Sequence, residues 1–139
     1  MESIVSLLTL KKATSYLITG TTLRNALEKF KAHKYSVVPL LDKEGHYLRT
    51  ISEGDLLRCV TSNETFDIHD FERVLVDDVE SYRPYRSLGI DASILEVIAL
   101  SLEQNFIPVV DDKGVYIGII TRKEVIKYLS EKIEFKFND

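Results

Sequence analysis

The chain is poor in cysteine, in runs of one charge and in long apolar stretches, and each scarcity excludes something. A single cysteine, Cys59, rules out a disulfide within the chain. There is no CxxC and no Cys/His cluster, and His33, His46 and His69 share no ligand spacing, so a structural zinc site is not expected. Lysine and arginine number 18 against 22 acidic residues, a net charge of −4, with no long basic block. Sequence-independent binding to nucleic acid is therefore not expected. No stretch approaches the roughly 20 apolar residues of a membrane span. The first residues, Met1-Glu2-Ser3-Ile4-Val5-Ser6-Leu7-Leu8, lack a basic region, a long apolar run and a small-residue cleavage site. A cytoplasmic protein is the expectation. Catalytic signatures are missing too: no Gly-x-Ser-x-Gly, P-loop, Rossmann glycine set or His-Glu-x-x-His. Cys59 follows an apolar helix face and is expected to be packed rather than nucleophilic. The chain is not expected to be an enzyme.

What is present is a core and a repeat. Hydrophobic residues make up 45 % of 139 residues, enough for one domain or two small subdomains sharing a core. A negative chain can still hold one anionic small molecule, because a site responds to local potential. The segments 35–57 and 106–126 match at a separation of 69. Pro39 pairs with Pro108, Asp42 with Asp111, Gly45 with Gly114, Tyr47 with Tyr116, Ile51 with Ile120, Ser52 with Thr121 and Asp55 with Glu124. Upstream the separation is 71, pairing Leu8 with Val79, Leu17 with Leu88, Leu23 with Ile94 and Leu27 with Ile98. The boundaries read as 1–60 for the first copy, 61–78 for a polar, acidic connector and 79–139 for the second copy.

Each copy reads as strand or loop, helix, strand, turn, strand, helix. Thr21 or Thr22 is an N-cap before the helical face of Leu23, Ala26, Leu27 and Phe30. Residues 37–41 and 107–110 are short β-branched runs suited to buried strands. Asp42-Lys43-Glu44-Gly45 and Asp111-Asp112-Lys113-Gly114 are turn sequences. The return strands are 47–51 and 115–120, and the final helices 53–60 and 122–132. Pro39 and Pro108 remove ladder donors, which predicts edge or strand-start positions.

The apolar-Pro strand, the Asp-x-x-Gly turn and the Gly118-Ile119-Ile120-Thr121-Arg122-Lys123-Glu124 ending, with its counterpart Arg49-Thr50-Ile51-Ser52-Glu53-Gly54-Asp55, resemble the tandem CBS-domain pair, or Bateman module. The resemblance covers roughly residues 8–130. It implies an α+β fold of two pseudo-twofold CBS-type repeats, each a small sheet packed with two helices. It also implies a regulatory module that binds an adenine nucleotide (AMP, ADP or ATP) in the cleft between the repeats. Helix rearrangement at a dimer face would then signal to a partner protein. A cyclic di-AMP receptor and a structural interaction module with degenerate nucleotide sites are the alternatives. No other cofactor is implied.

In such proteins the hydroxyl residue meets phosphate or ribose and the acid accepts from ribose. That carries to Ser52 and Asp55 for one site, and to Thr121 and Glu124 for the other. Glu124 departs from the family's Asp, and Arg49 stands where the family has Gly. From the residues alone, Thr121-x-x-Glu124 is a capping box and Ser52-x-x-Asp55 a looser one. A helix N-terminus is also a ready phosphate site. Arg122 and Lys123 sit in a first helical turn, where the helix dipole disfavours cations. They point either to an anionic ligand or to a solvated surface pair. Arg83 and Arg86 flank Pro84 and either close on the same phosphates or decorate a loop. Tyr35, Val37 and Phe106, beside Pro39 and Pro108, form either a purine slot or plain core. The helix 93–104 is apolar nearly all round, which predicts homodimerisation through the helices or burial between the repeats.

Overall fold

The computed structural model describes residues 3–33, 36–62, 67 and 69–138. Along the chain run β1 (Thr9–Leu10), β2 (Leu17–Ile18), α1 (Leu23–Ala32), β3 (Val37–Leu41), β4 (Tyr47–Ser52), α2 (Glu53–Thr61) and α3 (Asp70–Arg73). Then follow β5 (Leu88–Gly89), α4 (Ile94–Ser101), β6 (Phe106–Val110), β7 (Tyr116–Thr121) and α5 (Arg122–Asn138). Single turns of 3-10 helix occupy Ile4–Leu7, Lys11–Ala13 and Val76–Asp78. The α+β class follows, with helices packed on two small sheets.

Two hairpins carry the repeat. β3 pairs antiparallel with β4, and β6 with β7, in matching registers: Pro39 faces Thr50 and Pro108 faces Ile119. The turns are closed by aspartate. Asp42 Oδ1 accepts from the Glu44 and His46 amides, and Asp111 Oδ1 from those of Lys113 and Val115. Gly45 and Gly114 complete the turns at φ 93° and 82°, in the left-handed region open to glycine at no steric cost.

The prolines are buried inside strands that have neighbours on both sides, in the orders β2-β3-β4 and β5-β6-β7. Each parallel neighbour begins one residue beyond the proline: Leu17 pairs with Leu40, and Leu88 with Val109. At Pro39 and Pro108 the strand is therefore locally an edge, and the missing N–H removes no ladder bond.

Packing divides the chain into two units, one of residues 15–85 and one of 1–14 with 86–139. The sequence duplication is cut elsewhere, because each repeat's leading segment packs in the other repeat's unit. Ile4 and Leu7 are buried with Val97, Leu100, Ile107 and Ile120. Val76 and Val79 are buried with Leu17, Leu23, Val38 and Ile51. The connector expected to be polar thus contributes core, since Phe71 and Val74 also pack against this cluster.

The two leading segments dock differently. Leu10 of β1 pairs with Gly118 of β7, so the 86–139 unit has a four-stranded sheet. A β-carbon at Gly118 would lie 2.1 Å from the Thr9 carbonyl oxygen, so only glycine admits β1 there. The counterpart is Arg49, and no strand lies on its far side among the described residues. Its guanidinium donates instead to the carbonyls of Val76 and Asp77 at 3.1 Å and to Ser81 Oγ at 2.7 Å. A side chain takes over the hydrogen bonding of a missing strand. Arg49 is a clamp on the segment 76–81.

Helix ends follow local chemistry. Thr22 caps α1 by accepting from the Asn25 amide. Ser93 and Glu96 form a full capping box on α4. α4 stops at Ser101, short of the expected 104, and the Gln104 amide group donates to the Arg86 and Phe106 carbonyls. Val97 and Leu100 are buried, whereas Leu95 and Leu102 are 77 % and 80 % exposed. Among the described residues no helix is long and apolar enough to cross a membrane.

Candidate functional site

The chemistry converges where β4 runs into α2. Ser52 is the N-cap: its Oγ accepts from the Asp55 amide at 3.1 Å, and Asp55 Oδ2 accepts from the Ser52 amide at 2.9 Å. The box read as loose in sequence is complete. Asp55 does more than cap. Its Oδ1 also accepts from Arg58 Nη2 at 2.6 Å and from the Tyr82 amide at 2.8 Å. The carboxylate is 3 % exposed and carries three hydrogen bonds. Burial of a charge is tolerable under those conditions, because cation and amides replace the lost water.

Beside it lies a cavity of about 310 Å3. Ser52, Gly54 and Asp55 form one wall at the helix start, and Val37 and Thr50 contribute the sheet. Tyr82, Tyr85, Arg58 and Arg83 close it with aromatic surface and positive charge. The Arg58 guanidinium lies 4.3 Å from the centre of the Tyr82 ring, a cation–π contact. The size falls at the lower end of the range for small-molecule pockets. One polar helix start, two cations and two aromatic rings suit an anionic, partly flat ligand.

The wall behind the cavity is braced. Thr50 is buried; its hydroxyl bonds the Tyr47 hydroxyl at 2.8 Å, and its carbonyl accepts from Ser81 Oγ at 2.7 Å. Burial pushes the Tyr47 hydroxyl above its ordinary pKa. Ser81 links this wall to Arg49 and hence to the clamped segment. Cys59 borders a second cavity of about 500 Å3, which shares Asp55, Arg58 and Tyr82 with the first and adds Asp78 and Glu80. Burial first, and then the Asp78 carboxylate, push the Cys59 thiol upward. That leaves it protonated and a poor nucleophile.

Of the residues singled out in sequence, Val37, Ser52 and Asp55 meet at this cavity, and Arg83 joins them. Tyr35 lies outside the described residues. Pro39 is buried in β3 and Pro108 is the middle residue of β6. Phe106 is buried at the start of β6, where its carbonyl accepts from Gln104. Arg86 is exposed, and its amide and carbonyl are both bound by the Gln104 side chain.

The start of α5 is built otherwise. Thr121 Oγ1 accepts from the Glu124 amide at 3.2 Å, the hydroxyl half of the cap that is complete at Ser52. Arg122 Nε donates to the Ser101 carbonyl at 2.7 Å, at the last residue of α4. A cation disfavoured at its own helix start is favoured at the C-terminus of the neighbouring helix. This pairing accounts for Arg122 without an anion. Lys123 is exposed. Glu124 borders a small cavity of about 160 Å3 with Ser6, Lys127 and Glu131.

Sequence reasoning missed Arg58, Tyr82 and Tyr85. Arg58 was legible as the residue one helical turn beyond Asp55. Tyr82 and Tyr85 were not, because nothing local links them to α2. Among the described residues, no group of His, Cys, Asp and Glu could hold a metal ion.

The CBS domain family matches residues 16–62 and 76–131. A homoserine O-acetyltransferase of Methanohalophilus mahii is 30 % identical over 107 residues, covering 77 % of this chain but only 20 % of that protein. Cyclic di-AMP receptor B of Bacillus subtilis is 23 % identical over 119 residues, covering 86 % of this chain and 80 % of the receptor. The crystal structure of CbpB from Listeria monocytogenes in complex with c-di-AMP superposes with a TM-score of 0.78 at 23 % identity, covering 95 % and 98 % of the two chains. That of CBSX2 in complex with AMP superposes with a TM-score of 0.75 at 22 % identity, covering 94 % and 98 %.

Proposed function

The chain belongs to the CBS-domain family, and from that premise we propose that it is a regulatory module binding an adenine nucleotide beside the start of α2. The observation that carries this reading is the convergence of the Ser52 cap, the buried Asp55 carboxylate, two arginines and two tyrosines on one cavity. The helix start and the arginines suit phosphate. Tyr82 and Tyr85 offer faces on which a purine can stack. That CBSX2 and CbpB are described in complex with AMP and c-di-AMP supports the adenine ring as the common element. Relatedness to cyclic di-AMP receptor B favours cyclic di-AMP as the second reading. An enzymatic role finds no support in this cavity, whose groups include no base paired with a nucleophile.

Binding would act by differential affinity for two arrangements of the module. Readout through a second copy is part of the proposal. Leu95 of α4, Leu102 just beyond it, and Ile126 and Ile133 of α5 leave apolar surface exposed in the unit of 1–14 with 86–139, which homodimerisation would cover. A panel of AMP, ADP, ATP, cyclic di-AMP and adenosine in titration calorimetry tests the reading. An adenine nucleotide should bind and raise the melting temperature with its concentration. If none of them binds, the nucleotide reading fails and a structural interaction module remains.

A further inference from the structure

We infer that Arg58 is a latch on Asp55 that makes occupation of the α2 cavity depend on a phosphate group. The inference rests on the reading of that cavity as a nucleotide site, and it concerns how the site discriminates. An ionised carboxylate has about four acceptor positions. At Asp55 three are filled: by the Ser52 amide on Oδ2, and by the Tyr82 amide and Arg58 on Oδ1. One position is left. A ribose that donates both hydroxyls to this carboxylate needs two, so a resident donor must leave.

The three donors are not equally free to go. The Ser52 amide belongs to the capping box, and losing it would open the first turn of α2. The Tyr82 amide follows Ser81, whose hydroxyl is held by the Thr50 carbonyl and by Arg49. Moving it would require moving backbone. Arg58 can leave by side-chain rotation alone, and its side chain is 49 % exposed. Arg58 is therefore the donor that yields.

A displaced guanidinium needs a new anion close by. It already borders the cavity, with the Tyr82 ring beneath it. A phosphate on the incoming ligand supplies the missing partner in bidentate geometry. A nucleoside breaks the same ion pair and returns nothing. The pair thus works as a selectivity filter: its cost falls on every ligand that uses Asp55, and only a phosphorylated one recovers it.

The test is titration calorimetry with AMP and adenosine on the full chain, as wild type and as Arg58→Gln. Wild type should prefer AMP by about tenfold or more, the worth of a charge-assisted contact. In Arg58→Gln the two affinities should move in opposite directions. Adenosine should bind about fivefold tighter, because a half-exposed ion pair no longer has to be broken. AMP should bind about tenfold more weakly, having lost its guanidinium. A fall for AMP with adenosine unchanged would show a plain phosphate contact and overturn the latch. Equal falls for both would show a structural role and overturn it too. Should Arg58→Gln fail to fold, Arg58→Lys retains the charge without the fork, and its AMP-to-adenosine ratio should lie below wild type. Amide exchange gives an independent check: Tyr82 should stay protected when AMP binds wild type, and its deprotection would mean that the wrong donor was assigned. If wild type binds AMP but these signs fail, only the latch falls. If wild type binds neither ligand, the nucleotide reading falls with it.

Discussion

At Gly118 a single missing methyl group decides whether a strand can dock. The Thr9 carbonyl oxygen would lie 2.1 Å from any β-carbon there. Gly118→Ala should therefore cost about 3 kcal/mol, among the larger effects of single substitutions, through lost pairing of β1 with β7. Gly20, at φ 90° with nothing within 4 Å of an added β-carbon, is the control. Gly20→Ala should cost about 1 kcal/mol, for the left-handed backbone alone. Urea unfolding midpoints of the two variants make the comparison. Asp42 gives a prediction in pH. Amide donors, His46 first, hold its carboxyl below the ordinary range. A carboxyl depressed in the folded state adds stability that is complete above the unfolded value of about 3.9 and lost as pH falls through the folded one. The melting temperature of wild type relative to Asp42→Asn should thus decline as pH is lowered from about 5 to about 2.

Among the elements, α2 and the segment 76–82 are secured by one carboxylate and one guanidinium. Ser52→Ala removes only the cap and should cost about 1 kcal/mol. Asp55→Ala also strips Arg58 and the Tyr82 amide of their shared acceptor. It should cost about 2 kcal/mol, because the Ser52 and Tyr82 amides lose their acceptor while the half-exposed Arg58 turns to solvent. Thermal unfolding would rank the two. A site residue that is also a brace cannot be deleted to test binding without weakening the fold. Arg49→Ala loses three hydrogen bonds to the segment 76–81. It should cost about 2 kcal/mol and accelerate amide exchange at Tyr82 more than at Ile120, in the other unit. Equal acceleration at both would remove Arg49's role as a clamp.

For the molecule as a whole, the unit of packing is not the unit of duplication. Val76 and Val79 are fully buried with Leu17, Leu23 and Ile51, so a fragment cut at residue 60 lacks part of its core. A fragment of residues 15–85 contains that core entire. Dispersed amide resonances are expected from 15–85 and collapsed ones from 1–60. Equal dispersion of both would show that the segment 76–85 is dispensable. The same principle holds for Ile4 and Leu7, which complete the core around Val97 and Ile107.

Both hairpins, their turns, the helix caps at Ser52 and Thr121, a cap at Thr21 or Thr22, and the α+β class were legible in the residues alone. Each of these depends on contacts a few residues apart, where alternation, turn chemistry and capping act directly. Ser52 and Asp55 were candidates as well, since the repeat marks one helix start twice, whereas Val37 and Arg83 were left between a ligand contact and a plain structural role. The remaining contacts follow from packing. It assigned Arg122 to the C-terminus of α4, handed Asp55 to the Tyr82 amide, and packed each leading segment in the other repeat's core. Arg122 meets Ser101 across 21 residues and Asp55 meets the Tyr82 amide across 27, and the leading segments meet most of their cores across wider gaps still, so no local pattern encodes these contacts.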